Sequence, residues 1–439
     1  MSVVRFIVAG AGLRGTEYAS YATRRPEQAQ VVGVADPNDF YRERMVRTHR
    51  IPAENCFLDW QAMARRPRFA DAVIVATQDA LHAAPAVAFA RKGYHILLEK
   101  PMAPTEQACR RIVRAVEQAG VMLAVCHLMR YTTYTQHIKQ IVDSGRIGEA
   151  VSIQHLEPVG YWHQAHAFVR GSWRNEVESS FMLLAKSCHD IDWISYILGD
   201  AHCLRVASFG GLNHFLRERK PAAAGDARRC LDCAYEEACP YSAKRFYLGM
   251  VRDGKGLWFT KVTPDTTEEG MTKALQEGPY GRCVYECDND VVDHQVVIME
   301  FAGCRTAAFT MTAFNEGGGR RTRIFGTRGS ISGDGRTLEV FDFLTEKRET
   351  IDTSTTDATM FGGHGGGDSA VMSRFIEAVA TGDPGRILSG PATSLATHRI
   401  VFAAERARRS GRVVWLGMDR GAVTARTSAM PAREAEHGA

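Results

Sequence analysis

The sequence lacks the features of membrane, secreted and nucleic-acid-binding proteins. It has no apolar run near the about 20 residues needed to cross a bilayer. The N-terminus enters a strand-like pattern at once, without the basic segment, apolar stretch and cleavage site of a secretion signal. Its 54 basic and 50 acidic residues nearly cancel, and no basic stripe is present. We therefore expect a cytoplasmic protein that binds neither membranes nor nucleic acid.

Short apolar segments alternate with amphipathic helical patterns in the first part of the chain. Strands that are apolar throughout and alternate with helices predict a parallel sheet covered on both faces. Residues 1–128 should therefore form a doubly wound Rossmann domain. The predicted strands occupy residues 5–10, 30–36, 71–77, 95–100 and 121–125, and the predicted helices 16–24, 80–92 and 105–119.

Longer strands and glycine-rich turns follow in the rest of the chain. Residues 305–314 alternate between apolar and polar side chains, which predicts a half-exposed antiparallel strand. The Asp334-Gly335 pair predicts a tight hairpin. Residues 129–417 should form a second α/β domain with a largely antiparallel open sheet and helices on one side, including 188–198 and 368–380. The polar tail, 418–439, should be disordered.

A glycine-rich turn follows the first apolar segment. Gly10, Gly12 and Gly15 have the G-x-G-x-x-G spacing of dinucleotide-binding proteins. The second apolar segment ends at Asp36, about 20 residues further on, where an acid holds the adenosine ribose. A carboxylate there repels a 2′-phosphate, so NAD is favoured over NADP, although Arg42 lies close enough to keep NADP as an alternative. A turn that merely links strand to helix is the plain structural interpretation.

Three motifs together resemble the Gfo/Idh/MocA oxidoreductases, the family of glucose-fructose oxidoreductase and inositol dehydrogenase. They are GAGLRG at residues 10–15, EKPMA at 99–103 and KSCHDIDW at 186–193, and the likeness extends from about residue 3 to about 415. The resemblance implies an N-terminal Rossmann domain and a C-terminal α/β domain. The open sheet of the second domain often serves in oligomerisation in this family, so we expect a homo-oligomer.

The lysine of the second motif ends a strand that should be buried. Burying a cation costs free energy unless a nearby group or ligand interacts with it. The resemblance implies that Lys100 contacts the nicotinamide ribose and orients the substrate hydroxyl, favouring its alkoxide character. Pro101, often cis in the family, would fix the bend. His189 matches the catalytic histidine and would exchange the hydroxyl proton, while Asp192 would hold the imidazole or brace the helix.

For the two catalytic candidates, Lys100 and His189, the competing interpretations are a solvated lysine at a strand end and a structural histidine.

The resemblance also assigns a set of residues to the cofactor. The cofactor-binding candidates are Gly10, Gly12, Leu13, Arg14, Gly15, Asp36, Thr77, His82, Glu99 and Lys100.

The sequence departs from the family pattern four residues before the histidine. Many relatives have an aspartate there that contacts the substrate, whereas this chain has Ala185 followed by Lys186. Lys186 would either take over a polar contact with the sugar or repel positive charge on His189. This departure weakens the assignment to a simple alcohol dehydrogenase.

Aromatic and hydrogen-bonding side chains are interleaved in residues 160–175. Such a mixture suits a carbohydrate, which presents apolar C–H faces and hydroxyl edges. An ordinary loop with aromatic anchors is an equally good interpretation. The residues near the domain junction and the glycine-rich segment 362–368 add further candidates, although that segment could also be a flexible linker. The substrate-binding candidates are His127, Arg130, Tyr131, His163, His166, Arg170, Trp173, Arg174, Lys186 and His364.

Three of the eleven cysteines lie close together in an insertion at about 208–290. Cys230, Cys233 and Cys239 have a C-x₂-C-x₅-C spacing, which suits a structural zinc half-site. A fourth ligand would come from Cys283, Cys287 or His214. Free thiols packed in a loop are the alternative.

These patterns predict an NAD-dependent dehydrogenase that acts on a secondary hydroxyl of a sugar, glycoside or cyclitol, or on the corresponding ketone. Two alternatives stay open. One is a glycosidase that uses NAD for transient oxidation at C3 followed by elimination, as some members of the resembled family do. The other is a non-catalytic NAD-binding regulator, which the missing aspartate makes conceivable.

Overall fold

The first sheet is parallel and has the strand order β3-β2-β1-β4-β5-β6. A computed structural model of the chain describes residues 2–255, 259–354 and 365–417. The strands are β1 (Val4–Ala9), β2 (Ala29–Ala35), β3 (Cys56–Phe57), β4 (Ala72–Val75), β5 (His95–Leu98) and β6 (Leu123–Val125). The helices are α1 (Leu13–Arg24), α2 (Asp39–His49), α3 (Trp60–Arg65), α4 (Ala83–Arg91) and α5 (Glu106–Ala119). The predicted Rossmann domain is confirmed.

Local sequence signals account for these elements. The five predicted apolar segments are strands whose residues are almost all buried, as expected for a sheet covered on both faces. At α5, the Thr105 hydroxyl accepts a hydrogen bond from Ala108 N, and Gly120 ends the helix with a φ of +63°. The two-residue strand β3 was not predicted, because two residues are too short to show a periodicity.

Among the described residues, the second sheet has nine strands, in the order β14-β13-β12-β11-β7-β10-β9-β8-β15. Only β7 and β10 pair in parallel; the other neighbours are antiparallel. The strands are β7 (Ala150–Pro158), β8 (Cys203–Gly211), β9 (His294–Phe301), β10 (Arg305–Thr312), β11 (Arg321–Gly326), β12 (Gly329–Gly333), β13 (Thr337–Asp342), β14 (Arg348–Asp352) and β15 (Val414–Trp415). The helices are α6 (Thr133–Asp143), α7 (Tyr161–His163), α8 (Met182–Ala185), α9 (Cys188–Ile197), α10 (Gly249–Arg252), α11 (Glu268–Glu277), α12 (Gly367–Thr381) and α13 (Pro391–Ser410).

The predicted features of this sheet are present. The alternating segment forms β10, whose buried residues Ala307, Phe309 and Met311 face the core. The hairpin joins β12 to β13 around Gly335, which has a φ of +92°. The predicted tail, 418–439, lies outside the described residues.

The outer face of the large sheet carries exposed apolar side chains. Phe209 on β8 and Ile298 on β9 are 63% and 50% exposed. Apolar patches of this kind are typical of interaction surfaces, so the homo-oligomer stays a prediction. Among the described residues, no helix is long and apolar enough to cross a bilayer.

The insertion joins β8 to β9 and covers residues 212–293, so its first residues lie a few positions later than predicted. It has its own apolar core, which mixes aliphatic and aromatic side chains. That core contains Cys230, Ala243, Tyr247, Leu248, Phe259, Met271, Leu275 and Tyr280.

A buried ion pair fixes the start of the second domain. The fully buried guanidinium of Arg130 donates to both carboxylate oxygens of Asp192 on α9, at 2.7 and 2.8 Å, and to Asp200 at 3.0 Å. Burial opposes ionisation of Asp192, yet the charge of Arg130 outweighs burial and lowers the pKa of Asp192. Both partners are therefore charged in the folded protein.

Replacing Arg130 by Met should reduce the free energy of unfolding by about 3–5 kcal/mol, because Asp192 would be left as an unpaired buried charge. Urea unfolding followed by circular dichroism measures this loss. The matched control is Arg47→Met, which removes an exposed ion pair to Glu43 at 3.4 Å and should cost less than about 0.5 kcal/mol. Equal losses in the two variants would contradict the structural role of Arg130.

Candidate active site

The three glycines of the predicted dinucleotide-binding turn have distinct surroundings. Gly10 has a φ of +95°, and a Cβ there would lie 2.4 Å from the Ala76 carbonyl oxygen. A Cβ on Gly15 would lie 1.9 Å from the carbonyl oxygen of Gly10. Gly12, the N-cap of α1, has open space where a Cβ would be. The turn is thus tightly packed behind and open in front, which fits a diphosphate approaching the backbone of Leu13 at the start of α1.

Asp36 lies at the carboxyl end of β2 and faces this turn. Its carboxylate accepts hydrogen bonds from Ala11 N at 2.6 Å and Asn38 N at 2.8 Å. Arg42 donates to the Asp36 carbonyl oxygen at 2.7 Å and pairs with Asp39. The Arg42 side chain is therefore held by these two contacts within the protein. This arrangement favours binding of the ribose hydroxyls of NAD over binding of a 2′-phosphate.

The turn after β4 contributes further polar groups. Thr77 Oγ1 is buried and has no hydrogen-bond partner among the described residues, so it fits a cofactor that would occupy the groove. His82 contacts the Thr77 carbonyl oxygen at 3.0 Å and the Pro101 carbonyl oxygen at 2.7 Å. These contacts join the turn after β4 to the turn after β5.

A charged network lies beneath the turn after β5. The Arg14 guanidinium donates to Glu99 at 2.6 Å and also pairs with Asp368 at the start of α12. Tyr18 donates to Glu99 at 2.8 Å. Burial alone would raise the pKa of Glu99, but the charges of Arg14 and Lys100 outweigh it and lower this pKa. The Arg14 side chain is therefore tied to the protein, and its cofactor-binding role stays a prediction.

Lys100 projects from this turn toward the second domain. The Lys100-Pro101 peptide is cis. The ammonium nitrogen donates to the Ala185 carbonyl oxygen at 2.5 Å. Behind it, Met102 N donates to His398 Nε2 at 2.9 Å, while His398 Nδ1 lies 2.8 Å from the Ser394 carbonyl oxygen. This arrangement fixes the neutral tautomer of His398 with its proton on Nδ1.

His189 lies near the Lys100 contact. It is the second residue of α9, four positions after Ala185, and its ring lies 5.9 Å from that of His127. Burial lowers the pKa of His127 to about 4. The charge of Asp192 raises this pKa, while the charges of Arg130 and Lys100 lower it by smaller amounts. Lys100 and His189 are thus both linked to His127, and their convergence on one substrate at the carboxyl edge of the Rossmann sheet stays a prediction. Ligands bind at this edge in doubly wound folds.

Lys186 belongs to a compact charged network beside this region. Its ammonium pairs with Glu157 at 3.3 Å, and Arg320 pairs with the other Glu157 oxygen at 2.9 Å. Arg320 also pairs with Asp190, which accepts from His155 at 3.1 Å. Two cations thus balance two carboxylates. Lys186 shares the counter-ion Glu157 with Arg320, and its substrate contact stays a prediction.

Most polar candidates of residues 160–175 contact the insertion. His166 bonds to Tyr247 at 2.7 Å, and buried Arg170 donates to the carbonyl oxygens of Tyr241 and Arg282. His163 stacks on its neighbour Trp162, and Arg174 pairs at the surface with Glu178 and Asp288. The described contacts of these side chains are with the protein, so the structure does not bring them to Lys100.

Trp173 differs from these neighbours because it reaches the Rossmann domain. Its indole donates to Asp79 Oδ2 at 3.1 Å, and Ser179 donates to the same oxygen at 3.3 Å. Asp79 follows β4 by only a few residues and was not among the predicted site residues. Its position after a buried parallel strand is the sequence feature that could have identified it.

Among the remaining substrate candidates, some are held by contacts within the protein and one fits the site. Arg130 is occupied by its carboxylates, and Tyr131 bonds to Ser389 at 2.8 Å. Both ring nitrogens of His127 are buried and have no hydrogen-bond partner among the described residues, although Asp192 lies 3.8 Å away. His364 lies outside the described residues. His127 is therefore the junction candidate whose position best fits the site.

The structure does not support the predicted zinc site. Cys230, Cys233 and Cys239 line one small cavity with Cys283, which comes from the end of the insertion. In the described part of the chain, however, no three His, Cys, Asp or Glu side chains are arranged to hold a metal ion. Burial raises the pKa of Cys239 and Cys283, which favours protonated thiols. The alternative of packed thiols fits this arrangement.

Comparisons with known proteins agree with this geometry. Residues 4–127 match the family described as "Oxidoreductase family, NAD-binding Rossmann fold", and residues 139–416 match its "C-terminal alpha/beta domain". The chain belongs to the Gfo/Idh/MocA oxidoreductase family. The proteins that this chain matches include oxidoreductases, dehydrogenases and a hydratase.

Two curated relatives illustrate this range. The oxidoreductase YteT of Bacillus subtilis (strain 168) is 26% identical over 318 residues, which are 69% of this chain and 71% of that protein. The 2,7-anhydro-N-acetylneuraminate hydratase of Escherichia coli (strain K12) is 28% identical over 198 residues, 45% of this chain and 50% of that protein. The chain thus spans only half the length of the hydratase.

Two solved structures share the fold. An Agrobacterium radiobacter oxidoreductase in complex with NAD+, L-tartaric acid and magnesium has a TM-score of 0.69 and 16% identity, covering 96% of this chain and all of that one. A levoglucosan dehydrogenase in complex with NADH and levoglucosan has a TM-score of 0.68 and 18% identity, covering 95% of this chain and all of that one.

Buried His398 should make the protein less stable in mild acid. Burial lowers its pKa to about 3, below the usual value of about 6.5, so the unfolded chain takes up the proton first. Lowering the pH from about 7.5 to about 5.5 should therefore cost about 1.4 kcal/mol through this residue. In His398→Gln, the acid-induced loss of unfolding free energy, measured by urea titration at the two pH values, should shrink by that amount. An acid-induced loss equal to that of the parent protein would contradict this prediction.

Replacing Asp36 by Ser should weaken NAD binding by about tenfold or more, because the ribose hydroxyls lose a charged acceptor. The preference for NAD over NADP should also fall, since the repulsion of the 2′-phosphate is removed. Titration calorimetry with both nucleotides measures the two affinities. Asp71→Ser, which replaces a partly exposed carboxylate that accepts from Arg5 N away from the turn, is the control. An unchanged NADP/NAD affinity ratio in Asp36→Ser would exclude the ribose contact.

Proposed function

We propose that the protein uses NAD to oxidise a secondary hydroxyl of a sugar, glycoside or cyclitol, or to reduce the corresponding ketone. The observation that carries this proposal is the position of Lys100. Its ammonium reaches from the Rossmann domain to Ala185, four residues before His189. The proposal takes His189 as the proton-transfer group and Lys100 as the fixed cation, both beside the groove of the glycine turn.

Each side chain has a defined part in this reaction. Bound NAD supplies a hydride acceptor at its nicotinamide ring. Lys100 donates a hydrogen bond to the substrate oxygen and stabilises its growing negative charge as the C–H bond breaks. The His189 imidazole accepts the hydroxyl proton during oxidation and returns it during reduction. Ala185 holds the ammonium in place before the substrate arrives.

The surroundings support a polyhydroxylated substrate. Asp79, which accepts from the Trp173 indole, has a carboxylate that can also accept from hydroxyl groups. His127 adds two ring nitrogens without hydrogen-bond partners among the described residues. The solved levoglucosan dehydrogenase, which shares the fold, binds an anhydro sugar. These features support the carbohydrate class without distinguishing the sugar.

A second candidate is elimination or hydration with transient oxidation, including cleavage of a glycoside after oxidation at C3. The relative named as a 2,7-anhydro-N-acetylneuraminate hydratase favours it. Hydration has no net change in redox state, so a reaction of this kind that passes through a ketone must return the hydride within each turnover. Lys100 and His189 would play the same roles in both candidates.

Replacing Lys100 by Met should lower kcat/KM by about a hundredfold or more on any substrate, because the alkoxide loses its charged donor. The assay screens sugars, glycosides and cyclitols with NAD and follows nicotinamide absorbance together with product formation by mass spectrometry. Net NADH indicates a dehydrogenase; product without net NADH indicates transient oxidation.

The control is Lys92→Met, which removes a lysine that donates to the Arg66 carbonyl oxygen at 2.6 Å outside the site and should retain full activity. Activity of Lys100→Met within a few-fold of the parent would disprove the role of Lys100. Nucleotide binding without turnover of any carbohydrate would instead indicate a regulator.

A further inference from the structure

One short segment of the insertion lies against the Rossmann domain. Phe259, Thr260, Lys261 and Val262 form this cover segment. Phe259 is buried in the core of the insertion, with its ring 5.3 Å from that of Tyr247. The segment is therefore anchored by packing in the insertion.

The cover segment contacts the Rossmann domain on one side of the glycine turn. Tyr41, in the first turn of α2, donates through its hydroxyl to the Thr260 carbonyl oxygen at 3.3 Å. Arg44 of the same helix donates to Thr16, near the start of α1, at 2.8 Å. This contact therefore lies beside the groove, where β2 leads into α2.

The segment also reaches the other side of the turn. Lys261 donates to Ser172 Oγ at 2.6 Å, and its ammonium lies 4.1 Å from the centre of the Trp173 ring. Trp173 in turn donates to Asp79, in the turn after β4. β1 lies between β2 and β4, and the segment contacts α2 directly and the turn after β4 through Trp173, which places it near the carboxyl end of β1. The glycine turn that fits the diphosphate lies there.

The charge of Lys261 suits this position. Among the described residues no carboxylate lies within 4 Å of its ammonium, and Asp79 is the only acid whose charge acts on it noticeably. Burial lowers the pKa of Lys261 to about 8, although the side chain keeps access to solvent. The Lys261 ammonium is exposed and has no direct carboxylate partner among the described residues, so an anion could approach and pair with it.

We propose that the cover segment closes the dinucleotide groove and that Lys261 pairs with the NAD diphosphate, so that NAD stays bound through successive turnovers. This inference rests on the proposed use of NAD. A retained cofactor must regain its oxidised state on the enzyme. The hydride taken from one carbon is then returned to a carbonyl carbon of the same substrate or of a second carbohydrate, which favours the transient-oxidation candidate.

The test measures nucleotide release rather than activity. The full-length protein is loaded with NADH, mixed with excess NAD in a stopped-flow instrument, and followed by the loss of bound-NADH fluorescence. Lys261→Met should release NADH about tenfold faster than the parent protein, and added salt should accelerate its release less. Lys261→Arg should restore slow release, because it keeps the charge.

The control variant is Lys244→Met, which removes an exposed lysine of the insertion paired with Glu236 at 3.5 Å and should release NADH like the parent. Melting curves confirm that each variant is folded. Equal release rates for Lys261→Met, Lys244→Met and the parent would overturn the role of Lys261 while leaving NAD use intact. Absence of NADH binding to the parent protein would overturn both this inference and the proposed function.

Discussion

Lys100 donates a hydrogen bond to the carbonyl oxygen of Ala185, and this contact connects the edge of the Rossmann sheet to the helices that carry His189. The ammonium can hold this position because the turn around it is fixed on several sides. Glu99 provides negative charge beneath it, and His82 and His398 bind the backbone of the next two residues. In the proposed reaction this cation stabilises an alkoxide, which requires that it be in place before the reaction, and these contacts hold it there.

The site is built between charged groups that balance one another. Arg130 neutralises Asp192 and Asp200, while Arg320 and Lys186 neutralise Glu157 and Asp190. These pairs leave the neutral imidazole of His127 in a buried position between them and His189. Paired buried charges fix orientation, and removing one partner leaves the other uncompensated. These charges thus serve mainly to hold side chains in position, and they contribute less to the attraction of a charged substrate.

The insertion adds contacts with both domains. It engages His166 and Arg170, which were predicted to bind the substrate, and its cover segment contacts Tyr41 of α2. The thiols of the insertion line a small cavity with the same arginine, 3.4 Å from Cys230. Cofactor retention and packing of the insertion would therefore depend on the same set of contacts.

The sequence by itself determined the parallel sheet, the glycine turn, the position of Asp36 and the placing of Lys100 at a strand end. These features depend on local periodicity and on turn chemistry, which a few neighbouring residues specify. Tertiary structure alone decided that Trp173 faces Asp79 while Arg170 faces the insertion, and that the cysteines form no metal cluster among the described residues. Such outcomes depend on packing between segments far apart in the chain, where local spacing fixes neither the direction nor the partner of a side chain.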